Sequence, residues 1–292
     1  MFDYDQLETL AAVLRTGSFD AAAAELHVTQ SAVSQRIRQL EERIGSPLVL
    51  RGHPCTGTEA GLRLARHAEE VALLESQVSD ALPRPSARLR IAVNADSLAT
   101  WVLPALAEHP SHYFDLVVDD QDHSADWLKR GEVSAAVTSV ARPPKGCDSV
   151  KLGNFRYIAT ASPDFISRYL STGVTAANLL QAPMLVFNMK DDLQYTWIKE
   201  YFQVIHRPKS HLIPSTQGFV DAALLGMGWG LNPEALVRDH LRSGALVPLI
   251  PDAEYDIPLF WQSSRLMSRA LAPLERSIRR VAQQELIQDQ SN

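Results

Sequence analysis

The sequence is poor in cysteine, holds no lysine before Lys129 and contains no long apolar run. Its two cysteines, Cys55 and Cys147, are too few for a disulfide framework or a four-ligand zinc site, and they suit a reducing compartment. No stretch reaches the ~20 consecutive apolar residues that a membrane-crossing helix needs. The opening MFDYDQLETL is acidic, with no basic patch leading into an apolar run. No secretory signal is read there, and a cytoplasmic chain with no membrane partner is expected. The histidines form no H-E-x-x-H pair, the serines no G-x-S-x-G elbow, and the acids no EF-hand spacing. The segment GMGWG (226–230) is glycine-rich, but it follows the helical GFVDAALL rather than a strand and opens no helix. The context of a phosphate loop is missing, and the segment reads as a helix end leading into a strand. No metal, no cofactor and no enzymatic activity are expected.

Apolar residues make up 46% and charged residues 21% of the 292, a balance that supports real cores in two or three domains. The net charge of −6 argues only weakly against a nucleic-acid partner, because a DNA-binding face is local. Between residues 27 and 66, six arginines stand against three glutamates, a basic island inside an acidic N-terminal region.

Residues 2–82 read as almost wholly helical. Leu7, Leu10, Ala11 and Leu14 recur at helical spacing up to the stop at Thr16-Gly17. Ser18 suits an N-cap for the alanine-rich SFDAAAAELHV. Thr29 opens TQSAVSQRIRQLEERIG, in which Val33, Ile37, Leu40 and Ile44 form one buried stripe. SPLVLR reads as a short strand and GHPCTG as an exposed turn. These pieces make a winged helix-turn-helix, with the helix-turn-helix spanning Phe19 to Arg38. The second helix enters the major groove, leading with Thr29, Gln30, Ser31, Ser34, Gln35 and Arg38. All of these side chains hydrogen-bond, and Gln and Arg are bidentate readers of adenine and guanine. Arg36 joins this set by position. Ser18 and Arg51 are placed to hold phosphates.

From Thr58 a long helix is expected to about Leu82. Leu64, Val71 and Val78 lie seven apart, with Leu74 and Ala81 between them. The spacing points to a two-helix seam, or alternatively to one amphipathic helix lying on its own domain. Pro83 to Ala87 form a proline linker. Beyond it, apolar runs at 89–93, 114–118, 134–138, 184–187, 246–250 and 258–261 alternate with helices and end in a terminal helix. This is the grammar of an α/β fold with a largely parallel sheet.

The order LxxLAAVLRTGSFDAAAAELHVTQSAVSQRIRQLEERIGSPLVLR resembles the DNA-binding domain of LysR-type transcriptional regulators. In the second half, IAVNADSLATWVLPAL, VDDQ, KRGEVSAAV and FNMKDDLQ are similar to the ArgP/LysG-like subgroup, also named for inhibition of chromosome replication initiation. The resemblance implies a winged helix-turn-helix at 1–57 and a dimerising linker helix and hinge at 58–87. It implies an effector-binding domain of the periplasmic-binding-protein type at 88–292. That domain divides into α/β subdomain I (88–160 and 262–292) and subdomain II (161–261), with crossings near 159–163 and 255–262. The implied partners are double-stranded promoter DNA, RNA polymerase and a small effector, with homodimers assembling into homotetramers. The subgroup senses lysine or arginine and controls basic-amino-acid export.

Ligands of open α/β sheets bind beyond the carboxyl ends of strands. Those ends here carry Asn94, Asp96 and Ser97; Asp119, Asp120 and Asp122; Thr138; Asp191 and Asp192; and Ser215. Ser97 and Thr100 begin a helix whose free N–H groups suit a carboxylate. Asp96, Asp120, Asp122, Asp191 and Asp192 supply charge for cations. Taken singly, each aspartate is equally a turn residue or helix cap. Trp101 and Phe219 are available to pack an aliphatic stem, or simply to fill the core. A sequence-specific regulator switched by lysine or arginine is expected. The alternatives are a ligand-indifferent protein at a replication origin, a regulator with another effector, and an α/β enzyme or solute receptor with a helical appendage.

Overall fold

The computed structural model describes residues 2–78, 88–119, 124–203 and 206–289. The N-terminal unit packs α1 (Tyr4–Thr16), α2 (Phe19–Glu25) and α3 (Gln30–Ile44) around Leu7, Leu10, Val13, Ala22, Val33, Ile37 and Leu40, all buried. Each helix begins where a short polar side chain satisfies a free N–H. Asp3 accepts from Asp5, Ser18 from Ala21 and Thr29 from Ala32. Gly45 ends α3 at φ 78°, a left-handed conformation that glycine adopts without strain. β1 (Val49–Leu50) and β2 (Thr56–Gly57) pair antiparallel as the wing. Cys55, expected on an exposed turn, is buried in this core instead. The turn folds back, with its N–H bonded to the Gly17 carbonyl at 2.8 Å.

α4 (Glu59–Val78) lies against α1. Its seven-residue stripe is partly used inside the chain. Leu64 and Ala68 pack on the N-terminal core, and Leu74 packs on the core of the second domain. Among the described side chains, Leu62 of α4 stays 45% exposed. Ala81 and the proline linker lie outside the described residues.

The second domain runs β3 (Arg88–Val93), α5 (Ala95–Ser97), a π-helical turn (Leu98–Val102), α6 (Leu103–Ala107), β4 (Tyr113–Val118), α7 (Ser124–Lys129) and β5 (Ala135–Thr138). It continues through β6 (Cys147–Ala161), α8 (Pro163–Tyr169), α9 (Ala176–Gln181), β7 (Met184–Val186), α10 (Leu193–Phe202), β8 (Ser210–Leu212) and α11 (Thr216–Leu224). It closes with β9 (Gly230–Pro233), α12 (Glu234–Ser243), β10 (Val247–Pro248), β11 (Glu254–Ser264) and α13 (Ser268–Glu285). The main sheet has the order β10-β6-β11-β5-β3-β4, with β9 also on β6, and β7 pairs separately with β8. The expectation of a largely parallel sheet is corrected. β3-β4, β3-β5 and β7-β8 are parallel, but every pairing of β6 and β11 is antiparallel.

β6 and β11 run through both halves of the domain as one long antiparallel pair. Their register slips between Leu259 and Phe260, opposite Gly153 and Lys151. β5 pairs with β11 on one side of this bulge and β9 with β6 on the other. Gly153 of β6 thus lies at this slip, which on β11 falls between Leu259 and Phe260. Gly153 sits at φ 138°, which side-chain-bearing residues rarely adopt. The segment after α13 binds this point, with Ile287 and Asn154 exchanging two backbone hydrogen bonds of 2.8 and 3.0 Å.

Candidate functional site

α3 presents a divided surface. Val33, Ile37 and Leu40 are at most 1% exposed and anchor it. Thr29, Gln30, Ser31, Gln35 and Arg38 are exposed on the opposite side, with Ser34 half-buried at its edge. Arg38 is held only by an exposed pair with Glu42 at 3.1 Å, so its guanidinium is available to a duplex. Arg51 on the wing is exposed, 5.6 Å above the Phe19 ring. Ser18 spends its hydroxyl on the cap of α2. Arg36 is corrected: it turns toward α1, bonding Asp5 Oδ2 at 3.1 Å and Thr9 Oγ1 at 3.3 Å. It braces two helices rather than facing outward. Glu41, unremarked in the sequence, accepts from the N–H groups of Leu48 and Val49 at 2.8 and 3.2 Å and fixes the wing to α3.

The second site is a cleft between the two halves of the sheet domain. It is lined by Asn94, Asp96, Asp119, Tyr157, Phe187, Asp191, Gln194, Thr216, Phe219 and apolar neighbours. Of the expected strand-end residues, Asn94, Asp96, Asp119 and Asp191 meet there. Tyr157 donates to Asp96 Oδ2 at 2.8 Å, and Thr216 donates to Oδ1 at 3.0 Å. Asp191 accepts from the N–H groups of Phe187 and Leu193 at 2.9 and 3.0 Å, which shapes the loop into α10. Asn94 Oδ1 and Gln194 Oε1 are buried without a hydrogen-bond donor among the described residues. Unsatisfied buried acceptors are costly, so these two oxygens are prepared for an incoming N–H. The volume of this partly open cleft is about 50 Å³, well below the ~150 Å³ that admits a benzene ring. A ligand of amino-acid size therefore requires the walls to part.

Other expected residues go elsewhere. Ser97 is fully buried, outside the lining, and Thr100 bonds back to the Asp96 carbonyl at 2.6 Å. Thr138 is buried and accepts from Val140 N–H at 3.2 Å, capping its own strand. Asp192 pairs with Arg207 at 2.7 Å on the surface. Ser215 caps α11, accepting from Gly218 N–H, and it is the next residue, Thr216, that reaches the cleft. Asp120 and Asp122 lie outside the described residues. Trp101 is a core residue, whereas Phe219 lines the cleft. Tyr157 and Gln194 are not signalled by the strand-end pattern, whereas Thr216 belongs to the polar run that follows β8. Phe155, Tyr157 and Ala159 alternate with half-buried positions, and that period of two could have revealed both β6 and Tyr157.

The site's electrostatics favour cations. Burial raises the Asp96 carboxyl above the usual carboxylate range, partly offset by its two hydroxyl donors. Burial likewise raises Asp191, against the pull of its backbone donors. A cation arriving between them relieves both. Among the described residues, no three His, Cys, Asp or Glu side chains are grouped to hold a metal ion. No helix among them is long and apolar enough to cross a membrane.

Residues 4–62 match the bacterial regulatory helix-turn-helix protein, lysR family, and residues 83–283 match the LysR substrate binding domain. The chain is 44% identical over 287 residues to the HTH-type transcriptional regulator LysG of Mycobacterium tuberculosis, covering 96% of this chain and 93% of the relative. The crystal structure of ArgP from Mycobacterium tuberculosis superposes with a TM-score of 0.82 at 42% identity, covering 99% of this chain and all of that one. Full-length LysG from Corynebacterium glutamicum with bound effector Arg superposes at 0.69 and 36% identity, covering 98% of this chain and all of that one. The α3 face, the wing and the cleft thus have one setting: the chain belongs to the LysR family of DNA-binding transcriptional regulators.

Proposed function

We propose that this regulator is switched by a basic amino acid, arginine or lysine, and controls the export or metabolism of such amino acids. One observation carries the reading. The polar lining of the cleft is dominated by acceptors, with three carboxylates and two amide oxygens that have no donor among the described residues. An α-ammonium together with a guanidinium or second ammonium matches that lining, and a buried cation needs such partners. The bound arginine of the Corynebacterium glutamicum relative supports the same chemistry.

Thr29, Gln30, Ser31, Ser34, Gln35 and Arg38 read base edges, while Arg51 and the region of Ser18 hold phosphates of promoter DNA. Two copies join along α4, place their recognition helices ~34–36 Å apart or a multiple of it, and pair again into a tetramer. Arginine parts the walls of the cleft and resets the two halves of the effector domain about Gly153 and the Leu259–Phe260 bulge. It shifts the assembly only by binding one geometry better than another. The shifted assembly alters DNA bending and contact with RNA polymerase in the cytoplasm.

The test is a calorimetric screen of the twenty amino acids against the full chain, paired with footprints of a promoter fragment. Heat with arginine or lysine and an altered footprint are expected. An unchanged footprint at saturating arginine and lysine would favour a ligand-indifferent DNA-binding role.

A further inference from the structure

Asp119 follows β4 on one wall of the cleft, and Lys190 lies in the loop after β7 on the other. The Lys190 ammonium reaches Asp119 Oδ1 at 3.2 Å, and the Trp127 indole N–H donates to Oδ2 at 2.8 Å. The Asp119 side chain lines the cavity and is only 15% exposed, while that of Lys190 stands at the rim, 57% exposed. The Lys190 backbone is itself held, its N–H bonded to Asn188 Oδ1 at 2.7 Å. An acceptor-rich site thus already holds one cation, supplied by the chain from across the gap.

We propose that Asp119 is the subsite for the charged end of the effector, and that Lys190 is an internal competitor which occupies it until the effector arrives. This rests on the cationic-amino-acid reading above. A carboxylate withdrawn from water is costly without a cation. A guanidinium or ammonium that displaces Lys190 restores the charge it removes, so the exchange is nearly balanced. The competition lowers apparent affinity, because only the fraction of molecules with Lys190 turned away is receptive. Lys190 thereby sets the concentration at which the regulator responds. The same contact ties the two walls together and helps keep the unoccupied cleft small.

A double-mutant cycle on the full chain, read by calorimetry with L-arginine, tests this directly. Lys190→Met should tighten arginine binding about two- to fivefold, the range for removing one partly exposed ion pair that opposes the ligand. Lys190→Arg, which keeps the charge, should stay near the wild type. In an Asp119→Asn background, Lys190→Met should have no effect. Unchanged or weakened binding in Lys190→Met overturns the proposal, as does tightening that persists in Asp119→Asn. If the wild-type chain gives no heat with arginine or lysine, the effector reading fails by itself. The competitor contact is then judged by ligand-free hydrogen exchange across residues 187–192. Faster exchange in Lys190→Met sustains it, and unchanged exchange removes it.

Discussion

Thr216 donates its hydroxyl to Asp96 across the cleft at 3.0 Å, joining the first turn of α11 to α5, the short helix after β3. With Tyr157 on the other carboxylate oxygen, Asp96 sits where both walls of the cleft meet. A ligand that parts the walls must take over these contacts, so Asp96 is the residue most exposed to its charge. Replacing Asp96 by Asn should weaken arginine binding ~10- to 100-fold, the worth of one charge-assisted hydrogen bond. Affinity for promoter DNA without arginine should not change. Calorimetry and a gel-shift titration measure the two quantities separately.

The raised carboxyls of Asp96 and Asp191 give arginine binding a pH dependence of defined sign. In the empty cleft burial favours their protonated forms, and a bound cation favours the ionised ones. Binding therefore releases protons, and affinity should rise with pH through the raised range and then level off. Stability runs the other way. A carboxyl whose folded pKa lies above its unfolded value binds more protons when folded, so stability falls as pH climbs from the unfolded to the folded value. Asp96→Asn should remove its share of that fall and melt no lower than the wild type at neutral pH. Calorimetry in buffers of different ionisation enthalpy, and melting curves across pH, check both signs.

Arg36 and Arg38 are two residues apart on α3 but face different neighbours, and their substitutions should separate. Arg38→Ala, like Gln30→Ala, should relax sequence preference by ~1–3 kcal/mol while leaving binding to random DNA largely intact. Arg36→Ala should leave preference alone and lower stability by less than about 1 kcal/mol, since its pair with Asp5 is partly exposed. Arg51→Ala should weaken binding to all sequences and reduce the salt slope by about one. Titrations on specific and random duplexes at several salt concentrations distinguish these outcomes.

Gly153 lies on β6 opposite the register slip of β11. An added Cβ there would lie 2.7 Å from the Gln288 side-chain nitrogen and 3.0 Å from the Ile287 carbonyl, at a φ that alanine adopts only under strain. Gly153→Ala should cost ~1–3 kcal/mol. A urea denaturation midpoint equal to that of the wild type would contradict this.

The DNA-reading half was legible because its signals are local. The Thr29 cap, the Val33, Ile37 and Leu40 stripe and the Gly45 stop lie within one helix and its ends. Arg36 was misplaced because its partner, Asp5, lies in a different helix. The cleft was half legible for the same reason. Asn94, Asp96 and Asp191 follow apolar runs and announce themselves at strand ends. Tyr157 points inward from the middle of a strand, and Gln194 sits in the first turn of α10, so neither stands at a strand end. Leu64 and Leu74 kept their helical spacing, but packing within the chain claimed part of the stripe that spacing alone assigned to a partner.

The most direct measurement is a crystal structure of the full chain grown with L-arginine. Arginine is expected between the two halves of the effector domain, its nitrogens within hydrogen-bond distance of the carboxylates of Asp96 and Asp119 and of the side-chain oxygens of Asn94 and Gln194. Arginine bound anywhere else, or a cleft that stays empty and closed at saturating arginine, would contradict it.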